Sequence, residues 1–266
     1  MDATRVDLMG PWHDRRWMLV DDEGQCLTQR TQPRMVLITP RFEGEDLMVE
    51  APNMPALRIR NWCGEGDSIA VQIWEDTLHL PHPSTHDSEW FSAFLGQPCR
   101  LVYLPDAVVR PVEAPWNGCR VSLADAYPVL VIGQASLDLL NEKLDEAVTM
   151  ARFRPNLVVA GCAAHEEDGW RRVRIGEVEL ATVKACKRCA IPLVDPLTAA
   201  TGGHEPLRTL AEYRKAPAPS TKVIFGQNAL VSVPGVLRVG QTVELLAEEE
   251  AGVHSISRYT SSPPVS

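Results

Sequence analysis

The chain has 266 residues, 45% of them apolar and 23% charged, which is enough for one large domain or two modest ones with real cores and excludes the low-hydrophobicity profile of disorder. Its formal net charge is -9, and it has neither a Lys/Arg tract nor a basic-aromatic pattern, so nucleic acid is not an expected partner. No apolar run approaches the roughly 20 residues of a membrane helix, and the opening MDATRVDLMG has no apolar signal core. The expectation is a soluble, cytoplasmic protein without a membrane partner.

From Trp17 to about Tyr103 the sequence reads as short strands between turns. They are Trp17 to Val20, Met35 to Ile38, Asp46 to Glu50, Leu57 to Ile59, Ile69 to Ile73 and Arg100 to Tyr103, with one helix near Glu89 to Leu95. The Pro-bearing stretch Pro105 to Trp116 reads as a connection between two lobes. A buried strand is expected over Tyr127 to Ile132. Ser136 follows as an N-cap, then a helix with Leu137, Leu140, Leu144 and Val148 on one face. Further strands are expected at Leu157 to Ala160, at Arg171 to Ile175 after an Asp168-Gly169 hairpin signal, at Val178 to Val183, at Leu230 to Val233 and at Thr242 to Leu246. Leu207 to Tyr213 should be a short helix. The acidic runs Glu166 to Asp168 and Glu248 to Glu250 read as solvated, and the tail 251–266 as disordered.

Seven cysteines, at 26, 63, 99, 119, 162, 186 and 189, are an odd count in a chain too large to depend on disulfides, so reduced thiols are expected. Only Cys186 and Cys189 are close together, in Ala185-Cys186-Lys187-Arg188-Cys189-Ala190. A structural zinc site needs two more ligands, and no second C-x-x-C or H-x₃₋₅-H supplies them. A thioredoxin-like motif would open a helix, whereas Pro192, Asp195 and Pro196 make the downstream segment a loop. Two buried structural thiols are one reading. The other is a thiolate at Cys189, a ligand or nucleophile, because Lys187 and Arg188 stand between the cysteines and cations stabilise thiolates. Arg15 and Arg154 are either surface charges or, converging with these, grips for a small dianion such as phosphate. Histidines 79, 82 and 86 look like a metal triad but belong to an exposed loop, since Pro81 and Pro83 exclude a common helix. Nucleotide-binding loops and the G-x-S-x-G elbow are absent.

Nearly the whole chain resembles the MOSC proteins, and within them the mitochondrial amidoxime-reducing component and its bacterial relatives. The resemblance is carried by Asp14-Arg15-Arg16-Trp17-Met18-Leu19-Val20, Asp125-Ala126-Tyr127-Pro128-Val129-Leu130, Ala135-Ser136-Leu137 with Asn141, and Phe153-Arg154-Pro155-Asn156. Most specific is Ala185 to Cys189 continuing through Val194-Asp195-Pro196, Glu205-Pro206-Leu207, Tyr213-Arg214 and Phe225-Gly226-Gln227.

The resemblance implies a mainly β, α+β fold: a β-rich N-terminal lobe over 1–104, short at its start, and a MOSC β-barrel lobe with a few helices over 105–250. It implies a bound molybdenum cofactor (Mo-molybdopterin), with Cys189 as the metal's protein ligand and Arg15, Arg154, Asn156, Lys187 and Arg188 holding the pterin and its phosphate. Asp125 and Tyr127 would border the metal-facing pocket and, with Cys189, form the catalytic group. The implied reaction is reduction of an N–OH bond to N–H with loss of water, on amidoximes, hydroxylamines or N-hydroxylated bases. Because the chain has no ferredoxin-type cysteine spacing and no flavin or nicotinamide fingerprint, a separate ferredoxin-like or cytochrome b5-like carrier would supply electrons.

There are two departures from the family pattern. Family members carry a Lys-Ser segment ahead of Asp-Arg-Arg-Trp, but here Met1 stands 13 residues before Asp14 and no Lys-Ser pair lies upstream, so a short start or another grip on the phosphate is expected. Pro192-Leu193 also stands where two threonines often precede Val-Asp-Pro. Two alternatives remain. One is a non-catalytic carrier or sulfur-transfer module, like the C-terminal domain of pyridoxal-phosphate-dependent cofactor sulfurases, although pyridoxal phosphate itself is not expected on this chain. The other is a binding protein that has lost molybdenum chemistry.

Overall fold

The computed structural model describes residues 2–60, 67–113, 115–116 and 118–248. Cys63, residues 249–250 of the second acidic run and the tail 251–266 lie outside them. The chain is mainly β, with three α-helices among the described residues.

The first lobe is built from short antiparallel pieces. After β1 (Ala3–Asp7) and β2 (Gly10–Pro11), β3 (Trp17–Val20) pairs much later with β9 (Arg100–Tyr103). Between them lie the meander β4 (Thr39–Glu43), β5 (Asp46–Glu50), β6 (Leu57–Ile59) and the hairpin β7 (Ser68–Ile73), β8 (Asp76–Pro81). The helix α1 (Thr85–Leu95) starts four residues earlier than the spacing predicts. The Ser84 side chain caps it by accepting from the Asp87 N–H at 3.1 Å, and Gly96 ends it in the left-handed region. Its buried face, Trp90, Phe91, Phe94 and Leu95, fills one core with Leu19, Val49, Leu57 and Leu101.

The expected strand Met35 to Ile38 is instead part of a 3-10 turn over Pro33–Leu37. Pro33 presets the backbone angle of the turn's first residue, and the N–H of Met35 closes back on the Gln32 carbonyl.

The second lobe holds a six-stranded sheet in the order β11-β10-β14-β13-β12-β16, formed by β10 (Val129–Gly133), β11 (Leu157–Val159), β12 (Trp170–Ile175), β13 (Val178–Lys187), β14 (Ile224–Val233) and β16 (Val243–Glu248). Only β10 and β11 run parallel within it. Alternate residues of these strands, among them Val131, Val173, Leu180 and Val231, form its core. A separate small sheet joins β15 (Gly235–Arg238) to β1 and β2, so β1 pairs both with the strand that follows it and with one more than 220 residues later. Gly226 allows β14 to cross close to β10, because a Cβ there would meet Ile132 Cγ1 at 2.6 Å and the Val131 oxygen at 2.8 Å.

Three further expectations are corrected. The helix α2 spans Gln134–Asn141 with Gly133 as its cap, so Ser136 is inside it and caps nothing. The buried Glu167 carboxylate accepts from the Ser136 hydroxyl at 2.8 Å, and that oxygen in turn accepts from the His165 N–H. Leu144 and Val148 lie beyond the helix. The Asn141 amide bonds both the N–H and the carbonyl of Val148 and folds the chain back, and both side chains still reach the core around Leu140 and Phe153.

Asp168-Gly169 does not turn a hairpin but closes a 3-10 turn over Glu166–Asp168, where Glu167 is fully buried and not solvated. The hairpin turn falls at Gly176, between Ile175 and Val178. The helix α3 (Leu207–Tyr213) lies where expected.

The connection over Pro105 to Trp116 is held tightly. Val112 and Val121 donate backbone hydrogen bonds to Cys119 and Arg110, and the buried Arg110 guanidinium bonds Asp76 of the first lobe at 2.7 Å and the Ser122 carbonyl at 3.0 Å.

Candidate active site

Between the lobes lies a cleft of about 620 Å³, within the range of small-molecule sites. Arg15, Asp125, Tyr127, Arg154, Asn156, Cys186, Lys187, Arg188 and Cys189 all line it, joined by Arg30, Glu113 and Lys184. Its other walls are apolar side chains of the first lobe such as Trp17, Leu47 and Phe91.

The sulfur end is set by β13, which runs four residues past its expected end and carries Cys186 and Lys187 on the strand itself. The chain then leaves the sheet. The Arg188 N–H donates to the Val223 carbonyl at 2.8 Å, and Cys189 sits in the turn before a short 3-10 segment at Ile191–Leu193.

The cations expected around the Cys189 thiol are distributed differently. Arg188 is buried over the Phe153 ring and donates to Cys186 Sγ at 3.0 Å and to the Phe153 carbonyl at 2.8 Å, while Lys187 is exposed. The donor to Cys189 is Arg30 of the first lobe, whose Nη2 lies 3.2 Å from Cys189 Sγ and 2.6 Å from Asp125 Oδ2. Burial lowers the Arg30 pKa, but Asp125 and the Cys189 sulfur outweigh it and hold the guanidinium above its usual range. Burial pushes the Cys186 thiol up, against the opposing pull of Arg188, and keeps it protonated.

The opposite wall comes from two arginines in an uncommon backbone region. Arg15, in the turn before β3, has φ 52°, and Arg154, before β11, has φ 55°. Such conformations cost non-glycine residues about 1–3 kcal/mol and concentrate at functional sites. The two residues touch, Arg15 Nη2 donating to the Arg154 carbonyl at 3.2 Å. Asp14 takes a second arm of Arg15 and accepts from Asn156 Nδ2 at 2.8 Å. Asn156 Oδ1 accepts from the Leu130 N–H at 2.9 Å, so this amide chiefly fastens the Arg154 loop to β10 and to the first lobe. Arg154 forms no ion pair with a described residue. The protein around it and then the charge of Arg15 push its pKa down, although solvent reaches it through the cleft. That is an electrostatic environment an anion would relieve.

Tyr127 donates to Glu113 Oε1 at 2.7 Å, and Lys184 pairs with the same carboxylate. Burial and then Glu113 push the Tyr127 phenol well above its ordinary pKa, so it stays a hydrogen-bond donor. Arg30, Glu113 and Lys184 were not singled out from sequence. Arg30 lies in an unremarkable polar loop, and Glu113 in the proline-rich connection.

Histidines 79, 82 and 86 do not converge: they fall on β8, in the loop after it and in the first turn of α1. No group of three or more metal-ligating His, Cys, Asp or Glu side chains occurs among the described residues.

The fold and cleft define a class, a two-lobed β protein with a C-x-x-C pair and several guanidinium groups lining the cleft at the lobe boundary. The profile of the MOSC N-terminal beta barrel domain matches residues 1–98, and that of the MOSC domain residues 119–244. Mitochondrial amidoxime-reducing component 1 of Danio rerio is 37% identical over 245 residues, covering 88% of this chain and 74% of the relative. The Mus musculus protein of that name is 35% identical over 253 residues (90% and 74%), and the Homo sapiens one 32% identical over 254 (90% and 74%). The chain belongs to this family of MOSC-domain proteins. Its relatives are named mitochondrial, and no helix among the described residues is long and apolar enough to cross a membrane.

Proposed function

We propose that the cleft binds the molybdenum cofactor, with Cys189 as the protein ligand of the metal, and that the chain reduces N-hydroxylated small molecules. The observation that carries this reading is the half-buried Cys189 sulfur in the same cleft as Arg154, whose guanidinium has no ion pair with a described residue. The donor set fits the group. Thiolate sulfur suits molybdenum bound by a dithiolene, and Arg15, Arg154, Lys187 and Arg188 suit an anionic pterin phosphate. The buried Arg188 Nε has no partner among the described residues, a spare donor on the same wall. Asn156 contributes by fixing the loop that presents Arg154.

When bound, the cofactor would supply a two-electron reduction. The balance is N–OH plus two electrons and two protons to N–H plus water, with the electrons drawn from a separate carrier protein, ferredoxin-like or cytochrome b5-like. The chain's own residues would orient and neutralise: Asp125 and Tyr127 border the sulfur end, where the phenol oxygen, its proton given to Glu113, can accept from a substrate N–H or O–H and the Asp125 carboxylate accepts an N–H of an amidine product. The apolar first-lobe wall would keep water from that end.

The test is molybdenum content by mass spectrometry for the wild type and Cys189→Ser, both made in a host that produces the cofactor, followed by turnover of an amidoxime with an artificial reductant. Near-stoichiometric metal in the wild type, lost in the variant, together with turnover, is the expected result. Metal without turnover would favour the carrier reading, and no metal in the wild type would overturn the cofactor assignment.

A further inference from the structure

We propose that Arg30 is a positioning residue that reaches from the first lobe to hold the Cys189 sulfur and the Asp125 carboxylate in register, and so makes the sulfur site a property of both lobes. Its role at the metal rests on the reading above, whereas its contact with the sulfur does not.

The geometry comes from three sides. Arg30 Nη2 serves both Cys189 Sγ at 3.2 Å and Asp125 Oδ2 at 2.6 Å, although the three residues stand on separate segments of the two lobes. The guanidinium is clamped from behind by the Trp74 ring at 4.8 Å, and Trp74 is itself held at the β7–β8 turn with φ 53°. Its own loop is pinned by Thr28, whose hydroxyl accepts from the Arg30 N–H at 3.2 Å and whose carbonyl accepts from the N–H groups of Thr31 and Gln32.

An arginine serving only as a surface ion pair would not bring a donor to a thiol. Here Nη1 is buried as well and finds no partner among the described residues, so the fork keeps one donor for whatever occupies the cleft. A charge-assisted hydrogen bond to sulfur fixes the direction of its lone pairs and withdraws electron density from it, the kind of contact that tunes a ligated metal.

The experiment has two arms. In protein made without the cofactor, alkylation of Cys189 by iodoacetamide is followed at one neutral pH by peptide mass spectrometry in wild type, Arg30→Gln and Arg30→Lys, with Cys189→Ser identifying the site. Thermal unfolding of each variant checks that it is folded. Losing a charge-assisted donor that orients the sulfur should slow its attack, so Arg30→Gln should react roughly threefold to tenfold more slowly and Arg30→Lys close to wild type. An unchanged or faster rate in Arg30→Gln would overturn the contact, the faster rate marking Arg30 as a mere cover.

In loaded protein, the Mo(V) electron paramagnetic resonance signal of Arg30→Gln should shift in g values, with Arg30→Lys between it and wild type. An unshifted spectrum would overturn the tuning role. If the wild type holds no molybdenum, the proposed function fails and the alkylation arm alone decides whether Arg30 positions the sulfur.

Discussion

Replacing Arg154 by glycine should make the cofactor-free protein more stable while weakening its hold on an anionic ligand. The left-handed backbone at φ 55° costs an L-residue about 1–2 kcal/mol. Glycine adopts it freely but gives back roughly 0.5–1 kcal/mol through its looser unfolded chain. Removing the guanidinium also ends its repulsion with Arg15, and it breaks no ion pair with a described residue. The Arg154 carbonyl that receives Arg15 is kept by any residue. The net expectation is a gain of about 0.5–1 kcal/mol, which in a chain of this size is a rise of about 1–3 °C in the unfolding midpoint. A lost charged contact to a phosphate should cost roughly tenfold or more in retention. Urea unfolding of the cofactor-free protein reads the first quantity, and molybdenum content after dialysis of the loaded protein reads the second. A loss of stability, or undiminished metal retention, would refute the idea that this strain is kept for binding.

Phe153→Ala should destabilise by about 3–5 kcal/mol in the same urea assay, since the ring is fully buried, lies 4.4 Å from that of Phe225 and carries the Arg188 guanidinium on its face. His165 gives a pH dependence. Burial, then Arg214, holds its folded pKa below 6.5, so the unfolded chain takes up the proton first as pH falls. The stability that neutral His165 contributes is complete above about pH 6.5 and is lost as the pH drops toward the folded pKa. His165→Asn should therefore flatten unfolding free energy against pH between 7 and 5. His13, lowered by burial and Arg16, should supply the slope that remains.

Where the sequence was legible, burial and local chemistry agreed. The strand Leu57–Ile59 alternates inward and outward side chains, Asp46–Glu50 buries the apolar run Leu47-Met48-Val49, and the helix Leu207–Tyr213 has its first turn steadied by Glu205, which accepts from the Thr209 N–H. Where it misled, a distant group had claimed the local signal. Ser136 has the chemistry of a cap, but a carboxylate 31 residues away takes it. Asp168 begins a turn dipeptide, yet its carboxylate is held by Gln227 at 2.7 Å and Arg214 at 2.6 Å, which fixes it at the start of β12 and leaves the reversal to Gly176. The strands β1, β2 and β15 are short and owe their existence to one another across nearly the whole chain length, a dependence no window of sequence contains.

The C-x-x-C pair and its neighbouring motifs were readable because they are contiguous, and the residues they named do line one cleft. Which cation serves which sulfur was not readable, because adjacency along a strand does not imply adjacency in space. Arg188 follows Cys186 by two positions, and its guanidinium returns to that sulfur, whereas Cys189 lies beyond the strand end and faces the other lobe. The group that reaches it is Arg30, 159 residues away along the chain. Cys189 therefore takes its electrostatic partner from a loop of the opposing lobe, where Arg30 supplies it, since Arg188 is held by Cys186 and the Phe153 carbonyl and Lys187 faces solvent.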